Sequence, residues 1–441
     1  MAHELACQFA KGAANRDAHR ALPFQQVQQL SASGLLAITV PAEYGGADLQ
    51  PSVVADVIRE IASADPNIAQ IPQSRFVYLN LLRLAGTADQ KERHFSHVLA
   101  GGRIANAQSE RGGKTVSEVS TTITRSGDHF VLSGTKYYCT GSLFAHELAV
   151  LARLVDPHGD AGISAGDYIA FIPADSPGVT IVDDWNGFGQ RLTASGTIEL
   201  NGVSVSLDRL VPRVGTVDAP VVYGAFAQLL HVAIDGGIAR GALGEAVEFA
   251  RGKSRPWFEA GVDRANDDPL LIQRFGELTV DVSAAEATLE VAAHAVDDAF
   301  SDSGSPAASR STSRASLAVA TAKILSDRAA NQVSSALFEV SGTRSVDAAL
   351  NLQRYWRNAR THTLHDPVRW KFQHIGRSLL HGTPPPTARS DLTGILFLDQ
   401  FGLYFWPDCR HCQGVCLAQW VVVSTRPDEF VALTRLLGRP R

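Results

Sequence analysis

The sequence of 441 residues predicts an α+β protein in which a β-domain lies between two helical domains. Apolar residues recur at helical spacing through the first hundred residues and again from about residue 216. Between these regions they alternate with polar residues and short turns, without interleaved helices, which predicts a small β-barrel or sandwich. We therefore divide the chain into an N-terminal helical domain (1–104), a central β-domain (105–215), a C-terminal helical bundle (216–386) and an atypical tail (387–441).

The N-terminal domain contains one strongly periodic helix. In "PSVVADVIREIASADPN" the residues Val54, Ile58 and Ile61 share one face, which predicts a helix that buries this face. Asp65-Pro66 then ends the helix, because the residue before a proline avoids helical geometry.

The central domain is predicted from several short strands. "TTITRSGDHFVLSGTKYY" reads as a hairpin with Gly127-Asp128 at its turn. "YIAFIPADSPGVTIVDDW" and "GTIELNGVSVS" supply further strands. Asn201-Gly202 predicts a type I′ turn, since both central residues of that turn have positive φ.

The C-terminal domain is predicted from two long helices. In "LLHVAIDGGIARGALGEAVEFARGKSRPW" the residues Ile234, Ile238, Ala242 and Ala246 form an apolar stripe. "RASLAVATAKILSDRAANQVSSALFEVSG" is a second, alanine-rich helix. The polar stretch "SDSGSPAASRSTS" is predicted to connect helices of this domain.

Composition excludes several classes of protein. The 40 basic and 45 acidic residues give a net charge of −5, and the basic residues are scattered, so neither nucleic acid nor an anionic membrane is an expected partner. The first residues mix charges and lack the apolar core of a secretory signal, and no uncharged apolar run is long enough to span a bilayer. Five cysteines in a long chain do not form a disulfide framework, so we expect a cytoplasmic protein.

The order of these elements and several motifs resemble the acyl-CoA dehydrogenase superfamily over roughly residues 25–386. "VPAEYGG" is similar to an early signature of that family, and "GTKYYCTGS" stands where its flavin-contacting segment lies. Four motifs resemble more closely its flavin-dependent monooxygenase branch, the dibenzothiophene monooxygenase and sulfur-acquisition group. They are "SERGG" (109–113), "DDWNGFGQRLTASGT" (183–197), "RPWFEAGVDRANDDP" (255–269) and "RYWRNARTHTLHDPV" (354–368). The resemblance implies a C-terminal four-helix bundle.

A flavin site is implied by this resemblance. The protein's part in such a site is to position the ring and to supply polar groups at its edge. The cofactor would be FMN, reduced and supplied by a separate reductase, or alternatively FAD. The residues implied to lie along the ring edge, near N5 or against the ring are Asn106, Ser109, Tyr138, Thr140, Gly141 and Trp185.

The flavin phosphate is implied to lie near a second group of residues. Arg255 and Arg344 can bind phosphate oxygens in a bidentate manner, and the turn at Ser341-Gly342 exposes backbone N–H groups. In the superfamily a neighbouring subunit completes the cofactor site. The resemblance therefore implies a homotetramer.

The octapeptide "RTHTLHDP" (360–367) carries the predicted catalytic residues. By resemblance Asp366 stands where acyl-CoA dehydrogenases carry the glutamate that removes a proton, but it is one methylene shorter and Pro367 follows it. His365 and His362 lie one turn apart, and an imidazole can donate a hydrogen bond or exchange a proton near neutral pH. We expect His365, supported by His362, to control protonation beside the flavin. Packing behind the residues that contact the cofactor is an alternative role for the pair. Two histidines are too few ligands for a metal site, so no metal is predicted.

Two further features depart from the resemblance. In "QIPQSRFVYL" we expect Ser74 and Arg75 to line the substrate pocket, where the fixed charge of Arg75 would favour an anionic substrate. The tail has no counterpart in the family and contains "CRHCQGVC". Its crowded spacing gives weak support to zinc, and an apolar appendage is the expected alternative. The four candidate ligands are Cys409, His411, Cys412 and Cys416.

Three functions are compatible with this pattern. The first is a two-component monooxygenase that uses FMNH2 and O2 to oxygenate a small sulfur-containing or related substrate. The second is an FAD-dependent acyl-CoA dehydrogenase that uses Asp366 as its base and an electron-transfer partner. The third is a degenerate relative that binds a ligand or partner without turnover.

Overall fold

The N-terminal region of the computed structural model is helical, as predicted. The structure describes residues 1–386 apart from positions 114, 116, 117, 160, 214, 218 and 220, so the tail and its "CRHCQGVC" cluster lie outside the described residues. Short 3-10 turns follow α3, at Leu35–Ala37 and Ala42–Tyr44. The α-helices of this region are α1 (Ala2–Ala10), α2 (Ala13–His19), α3 (Phe24–Ala32), α4 (Pro51–Ala64), α5 (Pro66–Gln70), α6 (Gln73–Ala85) and α7 (Ala88–Leu99).

Helix α4 buries the predicted face, with Val54, Ile58 and Ile61 at most 1% exposed. Asp65 ends α4 in extended geometry and then caps α5, because its side chain accepts the backbone N–H of Asn67. The predicted break at Asp65-Pro66 is confirmed.

The central region is a single sheet of eight strands in the order β6-β7-β3-β2-β4-β5-β8, with β1 paired in parallel to β4. The predicted hairpin is confirmed, since β2 and β3 pair antiparallel from Thr122↔Ser133 to Ser126↔His129, and Gly127 has positive φ. The strands are β1 (Ile104–Ala107), β2 (Thr122–Ser126), β3 (His129–Lys136), β4 (Glu147–Leu154), β5 (Asp167–Pro173), β6 (Val179–Val182), β7 (Thr197–Val205) and β8 (Leu210–Pro212).

The predicted turn at Asn201-Gly202 is wrong, because β7 runs through both residues. Leu132 pairs with Val203 and Gly134 pairs with Leu200, so two residues of β7 face one residue of β3. Gly202 has a φ of 67°. The Asn-Gly pair therefore forms a β-bulge, which needs the same positive φ as a type I′ turn.

Every strand of this sheet contributes to one core. Leu148, Val150 and Ala152 alternate along β4 and pack with Ile123 and Val203 from β2 and β7. The strands therefore share one apolar face, as expected of a barrel or sandwich domain.

The C-terminal region is a helical bundle in which the long helices α8, α9 and α10 pack on one another and the shorter α11 and α12 pack against α10. The predicted connector is shorter than expected: it spans residues 302–307, and the following residues already belong to α10, whose alanines and serines continue the helix. The helices are α8 (Tyr223–Gly252), α9 (Pro269–Ser301), α10 (Ala308–Ser341), α11 (Gln353–His362) and α12 (Val368–His381).

Helix α8 also packs against α4 of the N-terminal region. A Cβ added at Gly237 would lie 2.5 Å from the Ala62 Cβ, and one added at Gly241 would lie 2.2 Å from the Ser63 oxygen. These two glycines therefore permit the close approach of the helices.

Of the helices that the structure describes, none has the length and hydropathy needed to cross a membrane. The boundaries of the three predicted domains remain a prediction.

Candidate active site

Three imidazoles meet where α11 ends against α8. His362 is the last residue of α11, His365 lies in the turn before α12, and His231 projects from α8. His231 Nδ1 lies 3.3 Å from His362 Nε2, and the rings of His231 and His365 stack with centroids 4.8 Å apart. His365 Nδ1 lies 2.8 Å from the backbone oxygen of His362. We call these three residues the histidine cluster.

A buried ion pair supports the histidine cluster from behind. Asp235 Oδ1 lies 2.6 Å from His362 Nδ1, and Asp235 Oδ2 accepts a hydrogen bond of 2.7 Å from Lys323 Nζ. The side chains of all three residues are fully buried. Since Asp235 is one turn from His231 on α8, this helix supplies both an imidazole and the carboxylate that orients a second one.

Burial is the main reason why the two partly buried members of the cluster, His231 and His365, are neutral. Burial, reinforced by the neighbouring His362, lowers the pKa of His365 to about 4. Burial and the adjacent His365 lower the pKa of His231 well below its usual value. Burial acts to raise the pKa of Asp235, but Lys323 and His362 outweigh it and hold this pKa at about 2. At neutral pH His231 and His365 are therefore uncharged and Asp235 is a carboxylate.

The geometry of the cluster does not favour a metal ion. One nitrogen from each ring lies within 4.8 Å of the others. However, the rings of His231 and His365 are nearly parallel, at 19°, so their in-plane lone pairs do not converge on one point. His362 Nε2 already faces His231 at hydrogen-bond distance. A metal would require both rings to rotate.

Polar side chains of α5 and α6 connect the cluster to the β-domain. Gln70 Nε2 lies 3.4 Å from His365 Nε2. The buried hydroxyl of Ser74 and the Oε1 atom of Gln70 have no hydrogen-bond partner. Tyr78 donates a hydrogen bond of 2.8 Å to Asn106 Oδ1. Buried polar atoms without partners are groups that a bound ligand or water can satisfy.

Residues 138–141, which connect β3 to the next turn, form the segment implied to face the flavin. Asn106 Nδ2 donates to the backbone oxygen of Tyr138, and Thr140 Oγ1 lies 2.8 Å from Ser195 Oγ. Tyr138 has a φ of 57° and is 48% exposed, which turns its ring outward. Gly141 has a φ of 84°, and an added Cβ would lie 3.0 Å from the Ile71 oxygen. The structure thus brings together Asn106, Tyr138, Thr140 and Gly141.

Ser109 contacts the start of this segment, and Cys139 lies within it. The backbone oxygen of Ser109 accepts the N–H of Tyr137 at 2.8 Å, which joins it to the segment. Cys139 points into the core of the β-domain and is fully buried, and burial raises the pKa of its thiol to about 12. Alternate residues of this segment therefore face the core and the site.

The loop 183–191 places Trp185 beside this segment and also contacts α11. The rings of Trp185 and Tyr138 form an edge-to-face pair with centroids 6.2 Å apart. Trp185 Nε1 donates to the backbone oxygen of Gln190, whose own N–H donates to Asn358 of α11 at 2.7 Å. A Cβ added at Gly189 would lie 1.9 Å from an α11 backbone oxygen. The loop therefore ties the aromatic wall to the helix that carries His362.

The residues implied to bind phosphate also lie together. Arg344 Nη1 donates to the Lys253 oxygen at 3.0 Å, and Ser254 Oγ donates to the Ser341 oxygen at 3.1 Å. Gly342 has a φ of 72° and ends α10. Arg255 is exposed next to this contact. Arginine side chains and a glycine turn thus share one end of the bundle.

Two residues take positions that differ from their expected roles. Arg75 is 1% exposed and donates to the backbone oxygens of Leu36 and Gly102, so its guanidinium binds the backbone of its own chain. Burial and the nearby Arg103 lower its pKa to about 9, which leaves it charged at neutral pH. Asp366 has a φ of 59°, is half-exposed and pairs with Lys371 at 3.3 Å. The carboxylate of Asp366 does not contact the histidine cluster.

Sequence reasoning missed His231, Asp235, Lys323 and Gln70. The available signal was a charge on an apolar helix face: Asp235 adjoins the stripe that begins at Ile234, and Lys323 interrupts the alanine-rich helix α10. A charged residue on a buried face needs a partner. However, Asp235 and its partner Lys323 lie on different helices and are 88 residues apart in the chain.

Comparison with known proteins gives the family of this architecture. The family models for the acyl-CoA dehydrogenase N-terminal, middle and C-terminal domains match residues 1–102, 105–203 and 229–370. Together they account for most of the chain.

Among curated proteins, dibenzothiophene monooxygenase of Rhodococcus qingshengii is 32% identical over 397 residues, which covers 87% of this chain and 93% of that protein. The probable FMNH2-dependent monooxygenase SfnC of Pseudomonas putida is 31% identical, with coverage of 87% and 95%.

Solved structures give the same relationship. TdsC of Paenibacillus sp. A11-2, in complex with FMN and indole, is similar with a TM-score of 0.81 and 33% identity, covering 88% of this chain and 98% of that one. The methanesulfinate monooxygenase MsuC of Pseudomonas fluorescens has a TM-score of 0.80 and 30% identity, with coverage of 88% and 97%. The chain is therefore an enzyme that belongs to the acyl-CoA dehydrogenase family, within its flavin-dependent monooxygenase branch.

Proposed function

We propose that this enzyme is a two-component monooxygenase that uses FMNH2 and O2 to oxygenate a small sulfur-containing substrate. The observation that carries the proposal is the orientation of the octapeptide: His362 and His365 lie in the histidine cluster, whereas Asp366 faces solvent and pairs with Lys371. A base that removes a substrate proton has to come within hydrogen-bond reach of it. The acyl-CoA dehydrogenase reaction through Asp366 is therefore not favoured.

The residues of the site fit FMN. The flavin segment offers an outward-turned tyrosine, an edge-to-face tryptophan and a glycine at a close approach, which suits an apolar ring with a polar edge. Relatives support the choice of FMN, since TdsC has been solved with FMN and SfnC is named as FMNH2-dependent. When bound, reduced FMN supplies the two electrons with which one oxygen atom of O2 leaves as water.

In this proposal, the chain's own residues exclude water and handle a proton. Tyr138 and Trp185 cover the ring, and Gln70 and Ser74 orient the substrate through polar atoms that lack partners. His365 donates its Nδ1 proton to a backbone oxygen, so its Nε2 atom carries the lone pair that would accept a proton, 3.4 Å from the Gln70 amide nitrogen. His362 holds this turn in place.

The phosphate of FMN would be held by the group at the end of α10. Arg344 uses one nitrogen on the Lys253 oxygen, so its remaining donors are available to a phosphate, and Arg255 is exposed beside it. The expected contribution of the turn at Ser341-Gly342 is not supported, because the N–H of Gly342 already donates to the Phe338 oxygen, so the arginines would supply the donors.

A homotetramer would let these residues complete the site of a neighbouring subunit. Large apolar side chains near this end of the bundle are exposed, as expected of a surface that a second copy covers. They are Trp257 at 64%, Phe258 at 77%, Leu270 at 76% and Ile272 at 56%. A separate flavin reductase would supply FMNH2.

The proposal is tested by product formation. The protein is incubated with enzymatically reduced FMN, O2 and dibenzothiophene, indole or methanesulfinate as probes, and oxygenated product is measured by mass spectrometry with 18O2. A parallel assay uses acyl-CoA thioesters and a dye acceptor. We expect 18O in a product and no dye reduction. Dye reduction by an acyl-CoA without oxygen insertion would overturn the proposal.

The role of His365 is tested in the same assay. His365→Ala should lower oxygenation by roughly 10²-fold, the effect expected when a proton-transfer group is lost. The matched control is His294→Ala, since His294 is 68% exposed on α9 and pairs only weakly with Asp297. Full activity of His365→Ala would remove this imidazole from the mechanism.

A further inference from the structure

A continuous line of buried polar contacts runs from α10 into the histidine cluster. Lys323 Nζ is 2.7 Å from Asp235 Oδ2, Asp235 Oδ1 is 2.6 Å from His362 Nδ1, and His362 Nε2 is 3.3 Å from His231 Nδ1. His231 then stacks on His365. None of the sequence motifs quoted above for the family resemblance includes Asp235 or His231.

The donors and acceptors along this line determine where each proton lies. The Asp235 carboxylate can only accept, so the proton of His362 is on Nδ1. Lys323 already neutralises Asp235, and a further positive charge on His362 would remain uncompensated in a buried site. With its proton on Nδ1 facing Asp235, His362 presents a lone pair on Nε2, to which His231 donates from Nδ1.

The proton of His365 is also assigned to Nδ1, from a different contact. Its Nδ1 atom faces the backbone oxygen of His362, which can only accept, so its proton is also on Nδ1. Its Nε2 atom carries a lone pair, consistent with the Nε2 donor of Gln70 at 3.4 Å. Two stacked imidazoles thus keep their Nε2 atoms unprotonated.

We propose that His231 is a second proton acceptor of the active site and that Asp235 is a positioning residue, which fixes the proton of His231 on Nδ1 through His362. The inference rests on the proposed function of this site. His231 and His365 stack 4.8 Å apart, so a proton on one repels a proton on the other. The pair would therefore take up one proton released by reduced FMN, not two, and would pass it to the oxygen atom that leaves as water.

The test reads proton positions and requires no turnover. The full-length protein is labelled with 15N at the histidine side chains, and 15N NMR at pH 7.5 distinguishes a ring nitrogen that carries a proton from one that carries a lone pair. Signals are assigned by single His→Gln variants. We expect His231, His362 and His365 to be neutral, with the proton of each on Nδ1. A cationic His362 in the parent protein would overturn the proposal.

The decisive variant is Asp235→Asn. The Lys323 ammonium attracts the amide oxygen, so the amide NH2 group faces His362 Nδ1, which has to become an acceptor. We expect His362 and His231 to move their protons to Nε2, whereas His365 keeps its own on Nδ1. Asp235→Glu, which retains a carboxylate, should restore the parent pattern. Unchanged signals of His362 and His231 in Asp235→Asn would overturn the proposal.

The chain offers a matched control and a second route. His94 Nδ1 lies 2.9 Å from Glu147 Oε2 in a buried pair outside the cluster, so Glu147→Gln should change the signal of His94 alone.

If Asp235→Asn does not fold, His231→Gln tests the same line of contacts from its other end. The new amide can donate to His362 Nε2, and His362 should keep its proton on Nδ1. A His362 proton on Nε2 in that variant would contradict the inference.

Oxygenation assays then separate this inference from the proposed function. Asp235→Asn should lower kcat/KM for oxygenation by roughly 10²-fold and increase the share of FMNH2 that is oxidised without product. If the parent oxygenates no probe but the protons move as described, the positioning role stands and the proposed function fails. If the parent is active and Asp235→Asn keeps full activity, the positioning role fails while the function stands.

Discussion

The buried ion pair between Lys323 and Asp235 predicts that losing one charge destabilises the protein more than losing both. Both side chains are fully buried, and no water can replace a lost partner. Lys323→Met keeps the length and volume of the side chain but leaves the carboxylate with His362 alone. Removing one partner of such a pair costs about 3–5 kcal/mol in the free energy of unfolding.

Removing both charges is expected to cost less than removing one. In Lys323→Met/Asp235→Leu no ion remains buried, and the main loss is the unpaired Nδ1–H of His362, about 1–3 kcal/mol. The double variant should therefore be more stable than Lys323→Met. The assay is urea unfolding followed by circular dichroism at one protein concentration, because assembly also contributes to the apparent stability.

The same measurement at several pH values checks the charge of Asp235. Its folded pKa of about 2 is below its ordinary value of 3.8, so its contribution is complete above pH 4 and is lost as the pH falls towards 2. As a control, Arg314→Gln removes an ion pair that is 61% exposed on both sides and should have little effect. A loss below about 1 kcal/mol in Lys323→Met, or a double variant less stable than this single one, would refute the reasoning.

Three further predictions concern the loop, the phosphate group and pH. Gly189→Ala should destabilise the protein by about 1–3 kcal/mol, because its Cβ would lie 1.9 Å from a backbone oxygen of α11, whereas Gly244→Ala, with open space around it, should be neutral or stabilising in thermal unfolding. Arg344→Gln should raise the Kd for FMN roughly tenfold in a fluorescence titration, and Arg251→Gln, on the exposed surface, should leave it unchanged. Since the pKa of His365 is lowered to about 4, kcat/KM should show no titration near 6.5 and should fall only as the pH approaches 4; an acid limb near 6.5 would contradict the neutral imidazole.

Most of the secondary structure could be predicted from local patterns in the sequence. The burial of Val54, Ile58 and Ile61 and the hairpin turn at Gly127 follow from residue spacing and turn chemistry within a few positions. Asn201-Gly202 shows the limit of this reasoning: positive φ was expected at both residues, but only Gly202 has it, as one residue of a bulge can. Only pairing with β3, a long-range contact, decides between a turn and a bulge.

The candidate site divides in the same way. His362 and His365 could be predicted from the sequence, because the two imidazoles are three residues apart in one motif. His231 and Asp235 did not, since the contact between Asp235 and His362 joins positions 127 residues apart. Helical periodicity gives the face on which a residue lies, but not which helix packs against that face.

The burial of Cys139 has a consequence for the chemical durability of the enzyme. Oxidants attack the thiolate, and burial that raises the pKa of this thiol to about 12 leaves almost no thiolate at neutral pH. Catalysts that bring reduced flavin and O2 together release some hydrogen peroxide, and Cys139 lies within the segment 138–141 that is proposed to face the flavin. The burial of Cys139 in the β-core therefore protects its sulfur from oxidation to sulfenic acid. Among the described residues, Cys7, which is exposed on α1, is the thiol that would react first.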